Sequence, residues 1–419
     1  MSKLAVLGGA PVRDKPFTQW PVHGEEEERN VLGVLRSGKW WYGEKVKAFE
    51  AAYAEFQDAA FGISCANGSL AIEVALLAAG IGAGDEVITT PYTFMATAGS
   101  ILKANAIPVF ADVDEATGNL DPDAAEAHIT PQTRAIMPVH VAGLPVDVDR
   151  FTQIGEKHGV RIIYDAAHGW GSQWRGKGVG AYGAFSTYSF QASKNMTSGE
   201  GGIILTCDEA GADTARSYTN CGRSSKGAWY EHFLLGANLR LTEFQAAILL
   251  AQIERLKDQT EQRERSAAWL NERFAGFDGL RTIPRDERVT RRAHHMYQLR
   301  YDAGAWKDLP RAKFCAAVSA EGVPFREVWP LLYKMPLFTD ALREGPKACP
   351  ISCPYHEGEV QDYGRLNLPN AERVSTRTGV WMAHACLLGD EADMQDVIDA
   401  VAKVRVNLDE LLGADIGGA

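Results

Sequence analysis

Seven apolar, strand-like runs alternate with helix-length segments in the first half of the chain, and this alternation limits the possible folds more than any other feature. The runs span residues 61–65, 86–90, 107–113, 134–141, 160–164, 185–190 and 202–206. Their apolar residues are continuous rather than alternating, which is typical of strands covered on both faces. The pattern predicts an α/β fold with a mostly parallel seven-stranded sheet and helices on both faces.

The second half of the chain predicts a smaller unit. A linking helix is expected over about 241–256, with Thr242 as its cap. Beyond it, a helical stretch at 309–321 and a strand-like run at 295–301 indicate a smaller α+β domain. We therefore divide the chain into an N-terminal arm and helix at 1–40, a large domain at 41–260 and a small C-terminal domain at 261–419.

Composition narrows the class of protein. The 419 residues carry a net charge of −11 without a basic patch, which argues against a nucleic-acid or anionic-membrane partner. Pro11 and Arg13 interrupt the opening residues too soon for a signal peptide, and no apolar run approaches membrane length. The seven cysteines are scattered and suggest reduced thiols. We expect a cytoplasmic protein.

Two short motifs suggest a metal or a dinucleotide, but neither has the context it needs. Cys349, Cys353 and His356 have a spacing that could supply three zinc ligands, yet they lie in a Pro-containing loop with no fourth ligand nearby. Residues 178–183 fit the pattern G-x-G-x-x-G, but polar residues precede them and a strand follows, the reverse of the order the fingerprint requires. We therefore predict that the first motif binds no metal and that the second is a simple turn.

Asp165 and Lys194 are the strongest candidates for chemistry. Each follows an apolar run, and ligands of open α/β sheets bind at the carboxyl ends of strands. Taken singly, the lysine could be a solvated surface charge and the aspartate a helix cap. Together they match the needs of pyridoxal phosphate, which requires a desolvated lysine for a Schiff base and a carboxylate that keeps the ring nitrogen protonated. We predict this cofactor, with both residues catalytic.

Four further residues fit such a cofactor. Gly68 and Ser69 open a helix whose first N–H groups would bind a phosphate, although an Asn-Gly turn with a serine cap is an equal alternative. Phe94 ends a strand and could stack on a flat heterocycle, with core packing as the default alternative. His168 is either a structural histidine or a group near the ring oxygen of the cofactor, and we favour the second role.

With these residues in order, and with matching runs at 82–88, 135–140, 199–202 and 236–247, the chain resembles the sugar and cyclitol aminotransferases of fold type I. The resemblance covers nearly the whole chain. Runs at 39–41, 165–168, 189–191 and 380–384 are similar to the branch that holds L-glutamine:scyllo-inosose aminotransferases and 3-amino-5-hydroxybenzoate synthases. The sequence does not separate these two groups well.

The resemblance implies roles for individual residues. Lys194 would carry the cofactor, Asp165 would pair with its ring nitrogen, and Phe94 would stack on the ring. Ser189 would join Gly68 and Ser69 at the phosphate. Asn238 would reach the phosphate of the neighbouring subunit, which makes a homodimer obligatory. The family often has Gln or Glu where this chain has His168, so the role of that position stays open.

The implied reaction moves an amino group from L-glutamine or L-glutamate to a keto carbon of a polyhydroxylated ring. Arg240, contributed in trans, is a candidate for the donor carboxylate. Candidates for the hydroxylated acceptor, which could equally be packed side chains, are Trp40, Trp41, His295, Tyr297 and Trp329. One alternative is a dehydration of the 3-amino-5-hydroxybenzoate synthase type. Another is a cofactor-binding regulator without turnover, which the absence of a DNA-binding module disfavours.

Overall fold

The computed structural model describes residues 3–224, 227–342 and 350–416. Within them the strands are, in chain order, β1 (Phe61–Cys65), β2 (Glu86–Thr89), β3 (Ile107–Phe110), β4 (Thr133–Met137), β5 (Arg161–Asp165), β6 (Gln173–Trp174), β7 (Lys177–Gly178), β8 (Phe185–Ser189), β9 (Gly202–Thr206), β10 (Leu280–Thr282), β11 (Val289–Arg291), β12 (Met296–Tyr301), β13 (Arg326–Glu327) and β14 (Gly379–Ala383). The α-helices are α1 (Glu25–Ser37), α2 (Glu44–Phe56), α3 (Gly68–Ala78), α4 (Ala96–Lys103), α5 (Pro122–Ala127), α6 (Val148–His158), α7 (Glu209–Thr219), α8 (Glu243–Phe274), α9 (Arg311–Ala320), α10 (Pro369–Arg373), α11 (Glu391–Val406) and α12 (Leu408–Gly413).

The large sheet has seven strands in the order β1-β9-β8-β5-β4-β2-β3. All neighbours pair in parallel except β9, which is antiparallel to both β1 and β8. The loop at 190–201 joins β8 to β9 without the crossover helix that a parallel connection normally needs, which explains this reversal. The predicted mostly parallel seven-stranded sheet is confirmed.

Alternate residues of the central strands pack against different helices. On one face, Ala135 and Met137 of β4 lie in a core that includes Ala71 of α3. On the other face, Ile136 packs in a core with Phe151 of α6. Helices therefore cover both faces, as the continuous apolar runs predict. The predicted run at 134–141 is too long, because Pro138 has no N–H to continue the ladder.

Helix α8 connects the large sheet to a second, smaller sheet with the order β10-β12-β14-β13. Thr242 caps α8 as predicted, and its hydroxyl accepts a hydrogen bond from the Gln245 N–H. The helix continues to Phe274, far past the predicted end at 256. The prediction ends too early because two buried positions of the helix, Thr260 and Arg263, are polar and interrupt the apolar pattern. The smaller α+β unit is confirmed, whereas the domain boundaries at 40 and 260 remain predictions. Across the described ranges, no helix is both long and apolar enough for a membrane span.

Candidate functional site

A cavity of about 830 Å³ opens at the carboxyl ends of the parallel strands. Its lining includes residues at or just after the carboxyl ends of β1, β2, β4, β5 and β8. Open α/β sheets bind ligands at this edge. The structure brings together nine of the predicted site residues in its lining, namely Gly68, Ser69, Phe94, Asp165, His168, Ser189, Lys194, His295 and Trp329.

Asp165 is the last residue of β5 and is buried. Its Oδ2 accepts a hydrogen bond from the Thr97 hydroxyl at 2.7 Å, and its Oδ1 accepts one from the Ala167 N–H at 3.0 Å. Burial raises the pKa of Asp165, while these hydrogen bonds and the charge of Lys194 oppose the rise. Residues 166–172 form turns rather than a helix, so the helix-cap alternative for Asp165 is wrong.

Lys194 lies in the loop after β8 and is half-buried. Its Nζ is 5.7 Å from the ring centroid of Trp170. Burial lowers the pKa of Lys194 to about 8, although the charge of Asp165 acts in the opposite direction. A partly desolvated amine opposite a buried carboxylate provides the two groups that the sequence predicts here. The alternative of a freely solvated surface lysine is therefore wrong.

Distant parts of the chain fix the loop that carries Lys194. The Trp20 Nε1–H donates to the Ala192 carbonyl at 3.1 Å, and the His384 Nε2–H donates to the Ser193 carbonyl at 3.0 Å. Arg263 is fully buried and donates from Nη2 to His384 Nδ1 at 3.2 Å. These bonds hold two successive carbonyls immediately before Lys194, which limits where its amine can lie.

His168 is buried beside Asp165, with its ring stacked on His295 at 4.4 Å and on Trp329 at 5.4 Å between centroids. Its Nδ1 accepts the Ala142 N–H at 3.3 Å. An acceptor at Nδ1 requires the proton of a neutral ring to lie on Nε2. Burial lowers the pKa of His168 well below its ordinary value, so the ring stays neutral and offers one N–H donor.

The opposite end of the cavity is built for close backbone approach. A Cβ at Gly68 would lie 2.5 Å from Ser189 Cβ, so no other residue fits there without a shift. Asn67, not Ser69, caps α3, because its Oδ1 accepts the Leu70 N–H at 3.0 Å. The Ser69 hydroxyl is therefore not needed as a cap, and the serine-cap alternative is wrong. Phe94 is 60% exposed, so it is not a core residue either.

Five predicted residues lie outside the cavity lining of this chain. Trp40, Trp41 and Asn238 are exposed, and Arg240 donates from Nη1 to Asn220 Oδ1 at 2.8 Å. Tyr297 lies in the core of the smaller unit, where its hydroxyl donates to Asn271 Oδ1 at 2.8 Å. Successive side chains of a strand point to opposite faces, so in β12 the preceding Met296 lines the cavity instead of Tyr297.

The sequence does not identify two polar residues that hold the site together. Thr97 donates a hydrogen bond to Asp165. The only sequence signal for this role is weak, namely a threonine in the first turn of a helix that follows a strand. Asn195 follows Lys194 directly and is 1% exposed. Its Oδ1 lies 2.9 Å from His295 Nδ1, and its Nδ2 donates to the Ala293 carbonyl at 2.8 Å. A polar residue beside a catalytic lysine is the signal that could have found it.

The motif with zinc-like spacing does not form a metal centre within the residues described. Cys349 lies outside those residues, and His356 Nε2 is 2.8 Å from Glu86 Oε1. No group of three or more metal-binding side chains is found among residues 3–224, 227–342 and 350–416. The glycine motif at 178–183 holds only a three-residue 3-10 helix at Val179–Ala181 and no α-helix, so it forms a turn, as predicted.

The lowered pKa of Lys194 gives a first testable expectation. Only the neutral amine attacks an aldehyde, so cofactor-free protein should combine with pyridoxal phosphate faster as pH rises, with a midpoint near 8 rather than 10.5. Asp165→Asn removes a charge that stabilises the ammonium form and should move the midpoint lower. Stopped-flow absorbance over pH would measure both, with Lys103→Ala as a control of unchanged midpoint. A parent midpoint near 10.5 would contradict the desolvated lysine.

The chain is similar to known proteins in both sequence and fold. The profile of the DegT/DnrJ/EryC1/StrS aminotransferase family matches residues 21–374. A putative L-glutamine:3-amino-2,3-dideoxy-scyllo-inosose aminotransferase of Streptoalloteichus tenebrarius is 39% identical over 98% of this chain and 99% of its own. The L-glutamine:2-deoxy-scyllo-inosose aminotransferase of Micromonospora echinospora is 35% identical over 99% of this chain and 100% of its own. The solved structure of 3-amino-5-hydroxybenzoic acid synthase has a TM-score of 0.84 and 32% identity, covering 95% of this chain and 99% of that one. The predicted fold class is confirmed.

Proposed function

Because this chain belongs to the DegT/DnrJ/EryC1/StrS aminotransferase family, we propose that it transfers an amino group from L-glutamine or L-glutamate to the keto carbon of a keto-cyclitol similar to scyllo-inosose. The main structural support is the half-buried Lys194, with its lowered pKa, sharing a cavity with the buried Asp165. Support for the substrate comes from relatives that are 35–39% identical over nearly the whole chain and are named for this chemistry.

The enzyme depends on pyridoxal phosphate, and the residues of the cavity fit this cofactor. Gly68, which has no room for a side chain, and the hydroxyls of Ser69 and Ser189 would hold the phosphate at the start of α3. Phe94 would stack on the ring and His168 would donate its Nε2–H to the ring oxygen. When bound, the cofactor accepts the electron pair that remains after a proton leaves the donor's α-carbon.

Lys194 and Asp165 would divide the proton chemistry between them. Lys194 Nζ, with a pKa near 8, can take the proton from the donor's α-carbon and return it at neutral pH. Asp165, held by Thr97 and the Ala167 N–H, would keep the cofactor's ring nitrogen protonated through its carboxylate. The two hydrogen bonds that fix the loop before Lys194 would keep its amine on the reacting face.

A homodimer that shares its active sites is part of the proposal. The segment 227–235 exposes several large apolar side chains to solvent, namely Trp229, Tyr230, Phe233 and Leu235. Leu235 is 98% exposed. Such a patch marks an interaction surface. Asn238 and Arg240 lie just after this segment, and Trp40 and Trp41 are exposed as well. We infer that the partner copy covers these residues and that Asn238 and Arg240 serve the partner's cavity.

Asn238→Ala should weaken cofactor binding without preventing folding. It removes one hydrogen bond to a charged phosphate, about 1.5–3 kcal/mol or roughly tenfold or more in affinity. Equilibrium dialysis of pyridoxal phosphate against cofactor-free protein would measure the change. Asn367→Ala, at another exposed asparagine, is the matched control and should bind like the parent. Unchanged affinity in Asn238→Ala would rule out the cross-subunit contact.

The substrate proposal is tested by pairing several amino donors with keto-cyclitols and nucleotide-linked ketosugars. Loss of the cofactor's absorption on mixing with a donor, and its return with an acceptor, reports each half of the reaction separately. We expect L-glutamine or L-glutamate with a keto-cyclitol to complete the cycle. Completion only with nucleotide-linked ketosugars would place the enzyme elsewhere in the family.

The dehydrating alternative has weaker support than amino transfer. A 3-amino-5-hydroxybenzoate synthase of Amycolatopsis mediterranei is 35% identical, whereas three relatives named for amino transfer to an amino-dideoxy-inosose reach 37–39%. Family membership also decides against a regulator without turnover.

We also assign the enzyme to the cytoplasm, with small-molecule substrates and no nucleic-acid or membrane partner. The cysteines at 65, 207, 221, 315, 353 and 386 are free thiols. Free thiols fit a reducing compartment.

A further inference from the structure

His295 lies at the wall of the cavity with its ring held in place on several sides. It is 3% exposed and lines the cavity together with Lys194 and Asp165. Its ring stacks on those of His168, at 4.4 Å, and His384, at 5.5 Å, and the tilted ring of Trp170 lies at 5.4 Å, all between centroids. Its backbone N–H donates to the Ala142 carbonyl at 3.0 Å. The position and plane of the imidazole are therefore fixed before any substrate binds.

Asn195 determines which ring nitrogen of His295 carries the proton. The amide of Asn195 has only one consistent orientation, because its Nδ2 donates to the Ala293 carbonyl, which can only accept. Its Oδ1 therefore faces His295 Nδ1 at 2.9 Å, and an amide oxygen can only accept. His295 must donate from Nδ1, so Nε2 of the neutral ring carries a lone pair. Burial, reinforced by neighbouring cationic groups, lowers the pKa of His295 well below its ordinary value and keeps the ring neutral.

No described residue donates to Nε2 of His295. The Nε2 atom of His140 is fully buried and has no hydrogen-bond partner. The Nε2 atom of His295 differs, because it is not one of the fully buried unpartnered atoms of the described residues. The atom is thus accessible from the cavity that the ring lines. Beside it, His168 offers an N–H at its own Nε2, so the two stacked rings present one acceptor and one donor.

We propose that His295, held in one tautomer by Asn195, determines specificity by accepting a hydrogen bond from a ring hydroxyl of the acceptor substrate. The inference rests on the proposed transfer to a polyhydroxylated ring. A lone pair cannot bind a carboxylate or a keto oxygen, since both are acceptors. It selects O–H or N–H groups, and a keto-cyclitol carries several hydroxyls. Asn195 acts as a positioning residue in this arrangement.

His295→Phe keeps an aromatic ring in the stack but removes the acceptor. We expect its KM for the keto-cyclitol to rise about tenfold or more, the effect of one lost hydrogen bond. The half-reaction with the amino donor should stay within about threefold of the parent. His295→Gln, whose side-chain oxygen can accept, should recover most of the loss. Thermal unfolding of both variants checks that they fold.

A series of keto-cyclitols, each lacking one hydroxyl, would identify the hydroxyl that donates to His295 Nε2. The parent should discriminate about tenfold or more against the compound that lacks the contacted hydroxyl, and His295→Phe should not. If His295→Phe still discriminates, or loses the donor half-reaction instead, the assignment is overturned. If no keto-cyclitol accepts an amino group from the parent, the proposed function fails, which is a different result.

The tautomer can be tested without turnover. Long-range proton–nitrogen correlation NMR of cofactor-free protein with ¹⁵N-labelled histidine should show His295 protonated at Nδ1 and unprotonated at Nε2. In Asn195→Asp the carboxylate would favour the doubly protonated ring, Nε2 would become a donor, and KM for the keto-cyclitol should rise as in His295→Phe. A proton on Nε2 in the parent would overturn the proposal.

Discussion

Replacement of Lys194 by Ala is expected to abolish borohydride fixation of the cofactor and to slow turnover by roughly 10²- to 10⁴-fold, the contribution typical of a positioned acid–base group. Lys194 is the cavity lysine whose pKa is lowered to about 8. The removed group is the amine that would bind the aldehyde and then transfer the proton. Mass spectrometry of the reduced protein and single-turnover absorbance measure the two effects.

Lys103 supplies the matched control for this experiment. It also lines the cavity, but it is exposed in the last turn of α4. Lys103→Ala should retain the reduced adduct, and peptide mapping of the parent should place that adduct on Lys194. An adduct of normal yield in Lys194→Ala would show that another lysine carries the cofactor and would overturn the assignment.

The position of the site follows from the sequence because strand ends are local features. The apolar runs place Asp165 and Ser189 at the ends of their strands, and parallel pairing then brings those ends to one edge. The same reasoning places Gly68 at the start of the helix after β1. Hydrophobic patterning alone therefore locates most of the cofactor-binding half of the cavity.

The acceptor side is harder to predict because contacts between distant residues decide it. The bond between Asn195 and His295 spans 100 residues, and no local pattern indicates it. Tyr297 and Met296 are neighbours in one strand, and the packing of the smaller sheet, rather than residue type, decides that Met296 reaches the cavity. Trp40 is exposed and Arg240 is partly exposed in a single chain, and both lie outside its cavity lining, so their proposed role depends on a partner subunit.

Asp165→Asn should fold, dimerise and bind cofactor, yet lose at least ~2–3 orders of magnitude in the half-reaction with the amino donor. Asparagine keeps the shape and can still accept the Ala167 N–H, but it lacks the charge that holds the ring nitrogen protonated. The loss falls on the rate rather than on binding, because the charge matters most when negative charge develops in the transition state. Single-turnover absorbance on cofactor-loaded protein measures it, and a rate within a few-fold of the parent would contradict the mechanism.

The stability of cofactor-free Asp165→Asn separates this role from a structural one. Burial raises the pKa of Asp165 above its ordinary 3.8. The ionised carboxylate therefore destabilises the folded state once the pH exceeds the pKa that Asp165 has in the unfolded chain. The variant should then be at least as stable as the parent at pH 7, and the advantage should vanish as pH falls towards 3.8. A carboxylate kept for stability would give the opposite sign. Denaturant unfolding of the parent and of Asp165→Asn between pH 3.8 and pH 7 would measure this difference. A variant at least as stable as the parent at pH 7 would show that Asp165 costs stability, as expected of a residue that serves the reaction.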